Sequence, residues 1–284
     1  MAKVIFRDLD HRYFGANGTE YQSVSSVFKA HKEYFDADKI ALKKFLIDSL
    51  PKEYIQAKKK FKWDSPEIIT YMEQFLPKEE IVAGVEALKA SWEAKGNNSR
   101  VRGTEIHKTV ELSDIKSGYI WSRLDGRYYK VISPRMDNDN ESLADNLYDL
   151  EDGYYPELLL FNDEHMIAGQ SDGVFLRTGP EGREAYIKDL KTDAEISVVP
   201  SFKHPRNGYK KLLNPVHHLN ECNLNEYSIK MSFYGYMLEQ FGFKVKKLAI
   251  ENVKFLDNQD IINIIYKEIP YRPDEVKSIL AYRM

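Results

Sequence analysis

The chain has a single cysteine, Cys222, in 284 residues. That excludes an internal disulfide, a cysteine-rich zinc site and a four-cysteine iron–sulfur cluster. Long apolar runs are also missing, and none approaches the ~20 residues that span a bilayer. No apolar segment of signal-peptide type follows Met1-Ala2-Lys3-Val4-Ile5-Phe6-Arg7-Asp8, so a cytoplasmic protein with no membrane contact is expected. Internal repeats and low-complexity tracts are absent too. What remains is enough for a real core: 43% hydrophobic residues, with 19 tyrosines and 14 phenylalanines. The length fits one large domain, or a core with an appended module.

Net charge is only −3, a poor match to a nucleic-acid partner, but it is unevenly spread. Residues 137–164 hold ten Asp/Glu and no Lys/Arg, and the rest of the chain carries +7. Residues 29–62 hold ten lysines against five acids, and 203–211 hold four bases and no acid. Such patches can neutralise phosphates, although solvated helix faces look the same in sequence.

The pattern of elements predicts a hairpin from 3–7 and 19–23. Helices follow, one starting after Asp36 as N-cap and another at Ser65-Pro66. A third starts near Pro77 and stops at Gly96-Asn97-Asn98, and a fourth spans 103–115. Residues 137–153 show no period and read as an acidic exposed loop. Strands are predicted at 156–161, 165–168, 171–177 and 185–190. A helix at 226–241, stopped by Gly242, precedes strands at 247–253 and 261–269 and a terminal helix from Pro273. This is a mixed α/β (α+β) layout.

Two strings carry the chemistry. Gly169-x-x-Asp172 and Asp189-Leu190-Lys191 put carboxylates at strand ends. In a strand, i and i+2 share a face, so Asp189 and Lys191 project together and Asp172 can join them from the next strand. Two carboxylates beside one ammonium suit a hard divalent cation and the hydrolysis of a phosphodiester. Lys188 points to the opposite face and reads as a surface residue.

With Gly103-Thr104-Glu105-Ile106-His107, Pro156-Glu157 and the helix bearing Tyr227 and Tyr234, these strings resemble the PD-(D/E)XK nuclease superfamily. More narrowly they are similar to its RecB-like exonucleases, which include phage-encoded and mitochondrial members. The resemblance covers about half the chain and implies a restriction-endonuclease-like core, a central mixed sheet flanked by helices. On this basis residues 1–98 form a hairpin and helical DNA-engaging region, and 99–284 form the nuclease core. It further implies Mg²⁺ or Mn²⁺ held by His107, Asp172, Asp189 and the Leu190 carbonyl, without an iron–sulfur cluster. Lys191 becomes the catalytic lysine, and Glu157 an additional acid, unless it is a plain strand-edge glutamate. Tyr234 and Lys230 lie one helical turn apart on the helix that contacts DNA in such enzymes. Lys230 stands where the family carries glutamine, and lysine only donates hydrogen bonds. Tyr234 equally fits a core stripe. Arg102 and Ser25 complete the candidate DNA contacts, Ser25 competing with simple helix capping. Aromatic and basic residues alternate from Tyr119 to Arg135, as stacking on a single strand requires, and core packing accounts for the aromatics equally well. His217, His218 and Cys222 read as loop residues and not as a zinc site.

The expected activity is that of a metal-dependent DNA exonuclease working on single strands or DNA ends. That setting is recombination, repair or phage DNA metabolism in the host cytoplasm. The alternatives are a structure-specific or restriction-type endonuclease and a catalytically weak DNA-binding scaffold.

Overall fold

The computed structural model describes residues 4–62, 65–136, 141–144, 146–192, 195–200, 203–204, 208–255 and 262–283. Contacts divide the chain into two units: Met1–Glu33 with Glu105–Met284, and Tyr34–Thr104. The predicted division at residue 98 therefore differs at the N-terminus. The first residues form three strands, β1 (Val4–Arg7), β2 (Arg12–Gly15) and β3 (Glu20–Ser23), rather than a two-stranded hairpin. Beyond the turn at Gly18 (φ 78°), β3 pairs in parallel with β8 (Ile167–Gly179), which ties this segment to the main sheet.

The smaller unit is helical. Asp36 caps α2 (Ala37–Ser49) by accepting from the Lys39 N–H at 3.0 Å. Pro51 and Pro66 occupy the first positions of α3 (Pro51–Lys60) and α4 (Pro66–Met72), where a missing N–H costs nothing. Leu46, Tyr54, Ile68, Met72 and Ile81 form its core. Phe45 lies where a Cβ on Gly84 would sit, so only glycine fits there.

Helix α5 (Lys78–Ser117) contributes to both units and runs unbroken through Gly96-Asn97-Asn98, the predicted stop. A glycine costs a helix only ~1 kcal/mol relative to alanine, and no neighbour within 4 Å of Gly96 forces a turn.

Besides β1–β3 and β8, the large unit has strands β6 (Ser142–Ala144), β7 (Gly153–Asn162), β9 (Gly182–Lys191), β12 (Phe243–Phe255) and β13 (Ile262–Ile269). They form a mixed sheet in the order β13-β12-β9-β8-β3-β2-β1-β6, with β7 also on β8. Both faces are covered, which explains why β7, β8 and β9 are buried almost throughout rather than alternating with solvent, their few charged side chains included. Val174, Leu176, Ala185 and Ile187 join α6 (Asn223–Glu239), α1 (Val24–Lys29) and α7 (Pro273–Tyr282) in one core. Phe175, Tyr186 and Tyr154 join residues of the hairpin β4 (Tyr119–Ser122) and β5 (Arg127–Lys130) in a second.

The acidic stretch is not all loop. Residues 142–144 are β6, paired with β1, residues 147–149 form a 3-10 turn, and Gly153 opens β7. Pairing with β1 supplies the order that periodicity lacked. Residues 137–140 and 145 lie outside the described residues. A separate short pair, β10 (Lys203–His204) and β11 (Gly208–Tyr209), precedes α6. No described helix is long and apolar enough to cross a membrane.

Candidate functional site

The site sits where the sheet forks. Strand β9 pairs with β8 only as far as Gly173↔Lys188, then continues against β12, with Asp189↔Ile250 and Lys191↔Asn252. Strand β3 takes the same edge of β8 at Ile167 and Ala168. Residues 169–172 thus have no ladder partner on that edge. The Asp172 carboxylate fills the gap, its Oδ2 accepting from the Leu190 N–H at 2.6 Å. A side chain here does the work of a strand, because a buried N–H must be paired.

Across the other edge, Pro156↔Gly173 and Leu158↔Ser171 place Glu157 opposite Asp172. Glu157 has φ 47°, a left-handed conformation that strains a residue with a Cβ. His107, on α5, completes the group: its Nδ1 is 3.5 Å from Asp172 Oδ2 and 3.9 Å from Glu157 Oε1. Among the described residues, His107, Glu157 and Asp172 are the one set of metal-ligating side chains, with ligand atoms within 4.8 Å of one another. Burial lowers the His107 pKa, but the hydrogen bond to Glu157 and the Asp172 charge outweigh it and raise the value.

Asp189 and Lys191 flank this group. Lys191 Nζ lies 2.5 Å from Asp189 Oδ2 and donates to the Leu190 carbonyl at 3.1 Å. Of the expected ligand set, His107 and Asp172 stand within the cluster, and Asp189 and the Leu190 carbonyl lie beside it against Lys191. Glu157 joins the cluster, while the two oxygens of 189 and 190 hold an ammonium. Both oxygen donors face a cation, as they would beside a metal.

Tyr234 reaches the fork from α6. A Cβ on Gly169 would fall 2.8 Å from Tyr234 Cε1, so the glycine of Gly169-x-x-Asp172 makes room for this ring. Burial, followed by the charges of Asp189, Asp172 and Glu157 after that of Tyr13, holds the Tyr234 hydroxyl protonated well above its ordinary range. Lys230 behaves differently: its Nζ donates to Glu226 Oε1 at 2.8 Å, and Lys32 holds the other oxygen at 2.7 Å. Ser25 is exposed in α1, and the cap is Ser23, whose hydroxyl accepts from the Ser26 N–H at 3.1 Å. Arg102 is exposed on α5 in the smaller unit. His218 Nε2 faces Glu275 at 3.4 Å and Cys222 is buried, consistent with their reading as loop residues.

Comparison with protein-family models, with curated proteins and with solved structures finds no match.

Asp114, Lys188 and Glu251 have no role in the sequence reading. Asp114 shares one face of α5 with His107 and Glu111 at helical spacing, a signal that is present in the sequence. Burial and then the Glu157 charge raise the Glu111 pKa. Lys188 is buried, not on the surface, because the β4–β5 face of the sheet is covered. It lies 3.6 Å from Asp114 Oδ2 and 3.4 Å from Glu251 Oε2. Only the fold brings Glu251 there, opposite Leu190 in register.

Asp189 yields a prediction about pH. Burial, opposed by Lys191 and reinforced by Asp172, pushes its pKa up to about 6 from 3.8. The folded state then binds the proton more tightly than the unfolded state. The contribution of Asp189 to stability is greatest below the unfolded value and is lost as pH rises toward 6, by at most about 3 kcal/mol. Asp189→Asn is expected to be more stable than the parent at neutral pH without divalent cation, and to lose this slope. Urea unfolding between pH 4 and 7 in a chelator checks both.

Proposed function

We propose that this chain is a divalent-metal-dependent deoxyribonuclease of the PD-(D/E)XK, RecB-like type. In this reading it is an exonuclease acting on DNA ends or single strands in recombination, repair or phage DNA metabolism, within the cytoplasm. The observation that carries the reading is the convergence of His107, Glu157 and Asp172 beside the Asp189–Lys191 pair at one sheet fork. His107 stands 50 positions before Glu157 in the sequence, and the fold alone brings it to the strands that carry the acids.

The donor set fits Mg²⁺ or Mn²⁺. It offers carboxylate oxygens and one imidazole, which manganese tolerates well. Asp189 Oδ2 is buried and already faces one cation, the Lys191 ammonium at 2.5 Å. His107, Glu157 and Asp172 would hold the ion, with Asp189 and the Leu190 carbonyl adjoining. Such an ion supplies Lewis acidity to a phosphoryl oxygen and lowers the pKa of a bound water.

The chain's own groups do the rest. Asp172 is held in place by the Leu190 N–H, so its orientation is set before any ligand arrives. Lys191 opposes the cost of burying ionised Asp189 and presents an ammonium that can donate to a phosphate oxygen or a water. Tyr234, kept neutral, adds a hydroxyl donor at the same edge.

End-labelled single- and double-stranded DNA incubated with Mg²⁺ or Mn²⁺ tests this, with a chelator as control. Cleavage proceeding from ends, and only with the cation, is expected. Degradation of closed circles would make the enzyme an endonuclease. Binding without cleavage under either cation would leave the scaffold reading.

A further inference from the structure

We propose that the outward face of the β4–β5 hairpin is a stacking platform for single-stranded nucleic acid. It deepens the nuclease reading, on which it rests for the identity of its ligand.

The hairpin has two unlike faces. Tyr129 and Leu124 are buried against Phe175 and Tyr186, with Ile120 packed beside them. This anchoring is what a two-stranded ribbon needs, since alone it is marginal. The opposite face carries Tyr119, Trp121 and Tyr128, exposed by 64%, 49% and 73%. Folding asks for nothing apolar there. In register, Trp121 pairs with Tyr128 and Tyr119 with Lys130, so three rings and an ammonium share one surface. The Trp121 and Tyr128 rings meet edge to face at 4.9 Å. Tyr119 lies two residues from Trp121, about 7 Å along the strand.

The hairpin's own outward charge is positive. Lys130 shares the ring face and Arg123 is exposed beside it, while Arg127 is exposed in register with buried Ser122, 4.0 Å from Asp125. The lone acid of the hairpin, Asp125, turns inward, where it accepts from the Tyr129 hydroxyl at 2.6 Å. Exposed rings among bases with no outward acid match the π-faces and phosphates of an unpaired strand, while a duplex hides its base faces. The platform also adjoins the candidate site. A cavity of about 190 Å³ beneath Trp121 and Arg123 is lined by Val110, Asp114 and Lys188. The same three residues line the cleft that holds His107 and Asp172.

Fluorescence anisotropy with a dye-labelled oligothymidylate, in a chelator so that nothing is cut, tests the platform. Trp121→Leu and Tyr128→Leu are each expected to weaken binding about tenfold, which is about 1.4 kcal/mol and within the range for one stacked base. Trp121→Phe should retain most of the affinity, and an abasic strand of equal charge should bind the parent weakly. Because the substituted rings point outward, thermal melts should match the parent. The proposal is overturned if the leucine variants bind like the parent, or if the abasic strand or a blunt duplex binds as tightly as oligothymidylate. Ring-dependent adsorption to phosphatidylglycerol vesicles without oligonucleotide binding also overturns it. Failure of the nuclease reading looks different. Ring-dependent binding with no cleavage in Mn²⁺ keeps the platform and removes the nuclease. Cleavage with binding indifferent to the rings does the reverse.

Discussion

Asp172→Asn is expected to reduce metal-dependent DNA cleavage by about 10³-fold or more while leaving the fold nearly as stable as the parent. Asp172 has two tasks that an amide separates. As a carboxylate it is the shared neighbour of His107 and Glu157 in the candidate cation cluster. As an acceptor it satisfies the Leu190 N–H at 2.6 Å, at the point where the β8–β9 ladder ends. Asparagine keeps the acceptor oxygen and loses the charge. The several kcal/mol that a bound cation contributes to a phosphoryl-transfer barrier then disappear, about tenfold for every 1.36 kcal/mol. Asp172→Ala removes both functions. It leaves a buried N–H unpartnered, at about 1–3 kcal/mol, because Leu190 is only 6% exposed. Cleavage rates in Mn²⁺, calorimetric Mn²⁺ titration and urea midpoints for the two variants separate these effects. Parent-like cleavage by Asp172→Asn would remove Asp172 from the site, and with it the assignment of the cluster.

How much of this was legible before the fold was known follows from the range of each interaction. Asp189-x-Lys191 was readable because a two-residue strand period is local, and the pair does meet at 2.5 Å. The Gly169-x-x-Asp172 string was recognisable, but its glycine gains a physical reason only from Tyr234, 65 positions away, whose ring occupies the space of the missing Cβ. Helix ends were less legible. Gly96-Asn97-Asn98 carries the usual stop residues, yet their combined penalty is small, this exposed stretch meets no neighbour that turns the chain, and α5 continues. The place of the N-terminal strands could not be read at all. It depends on β3 choosing the edge of β8 just beyond the fork. Glu157 reads from sequence equally as a strand-edge or a site residue, and its left-handed backbone, which sets it opposite Asp172, has no signature in composition. Lys188 reads as a surface residue for a related reason. Period two correctly placed it on the face opposite Asp189, but whether that face meets water depends on the β4–β5 hairpin covering it.

That buried lysine carries the second large effect. Lys188→Met is expected to destabilise the protein by about 3–5 kcal/mol, the usual cost of leaving buried charge without its partner. The ammonium lies between two carboxylates, 3.6 Å from Asp114 Oδ2 and 3.4 Å from Glu251 Oε2, with its side chain 11% exposed. Its stem crosses Gly173, where a Cβ would fall 2.8 Å from its Cγ and Cε, so the glycine is part of the same arrangement. Tyr154 contributes a hydroxyl that donates to Asp114 at 3.0 Å, and burial followed by the Asp114 charge keeps that hydroxyl protonated. One hydrogen bond does not replace a full positive charge between two acids. Methionine fills the trough with similar length, so the loss is electrostatic rather than a cavity. With a urea dependence of about 3 kcal/mol per molar, the upper end expected of a large domain, the midpoint should fall by roughly 1–2 M. Adding Glu251→Gln to Lys188→Met should return at least about 1 kcal/mol by removing one of the facing charges. Glu251→Gln alone should cost little, because Asp114 keeps its lysine. If the double variant recovers nothing, Lys188 stabilises by packing and not by charge. If Lys188→Met unfolds at the parent midpoint, the buried pairings are not formed in solution.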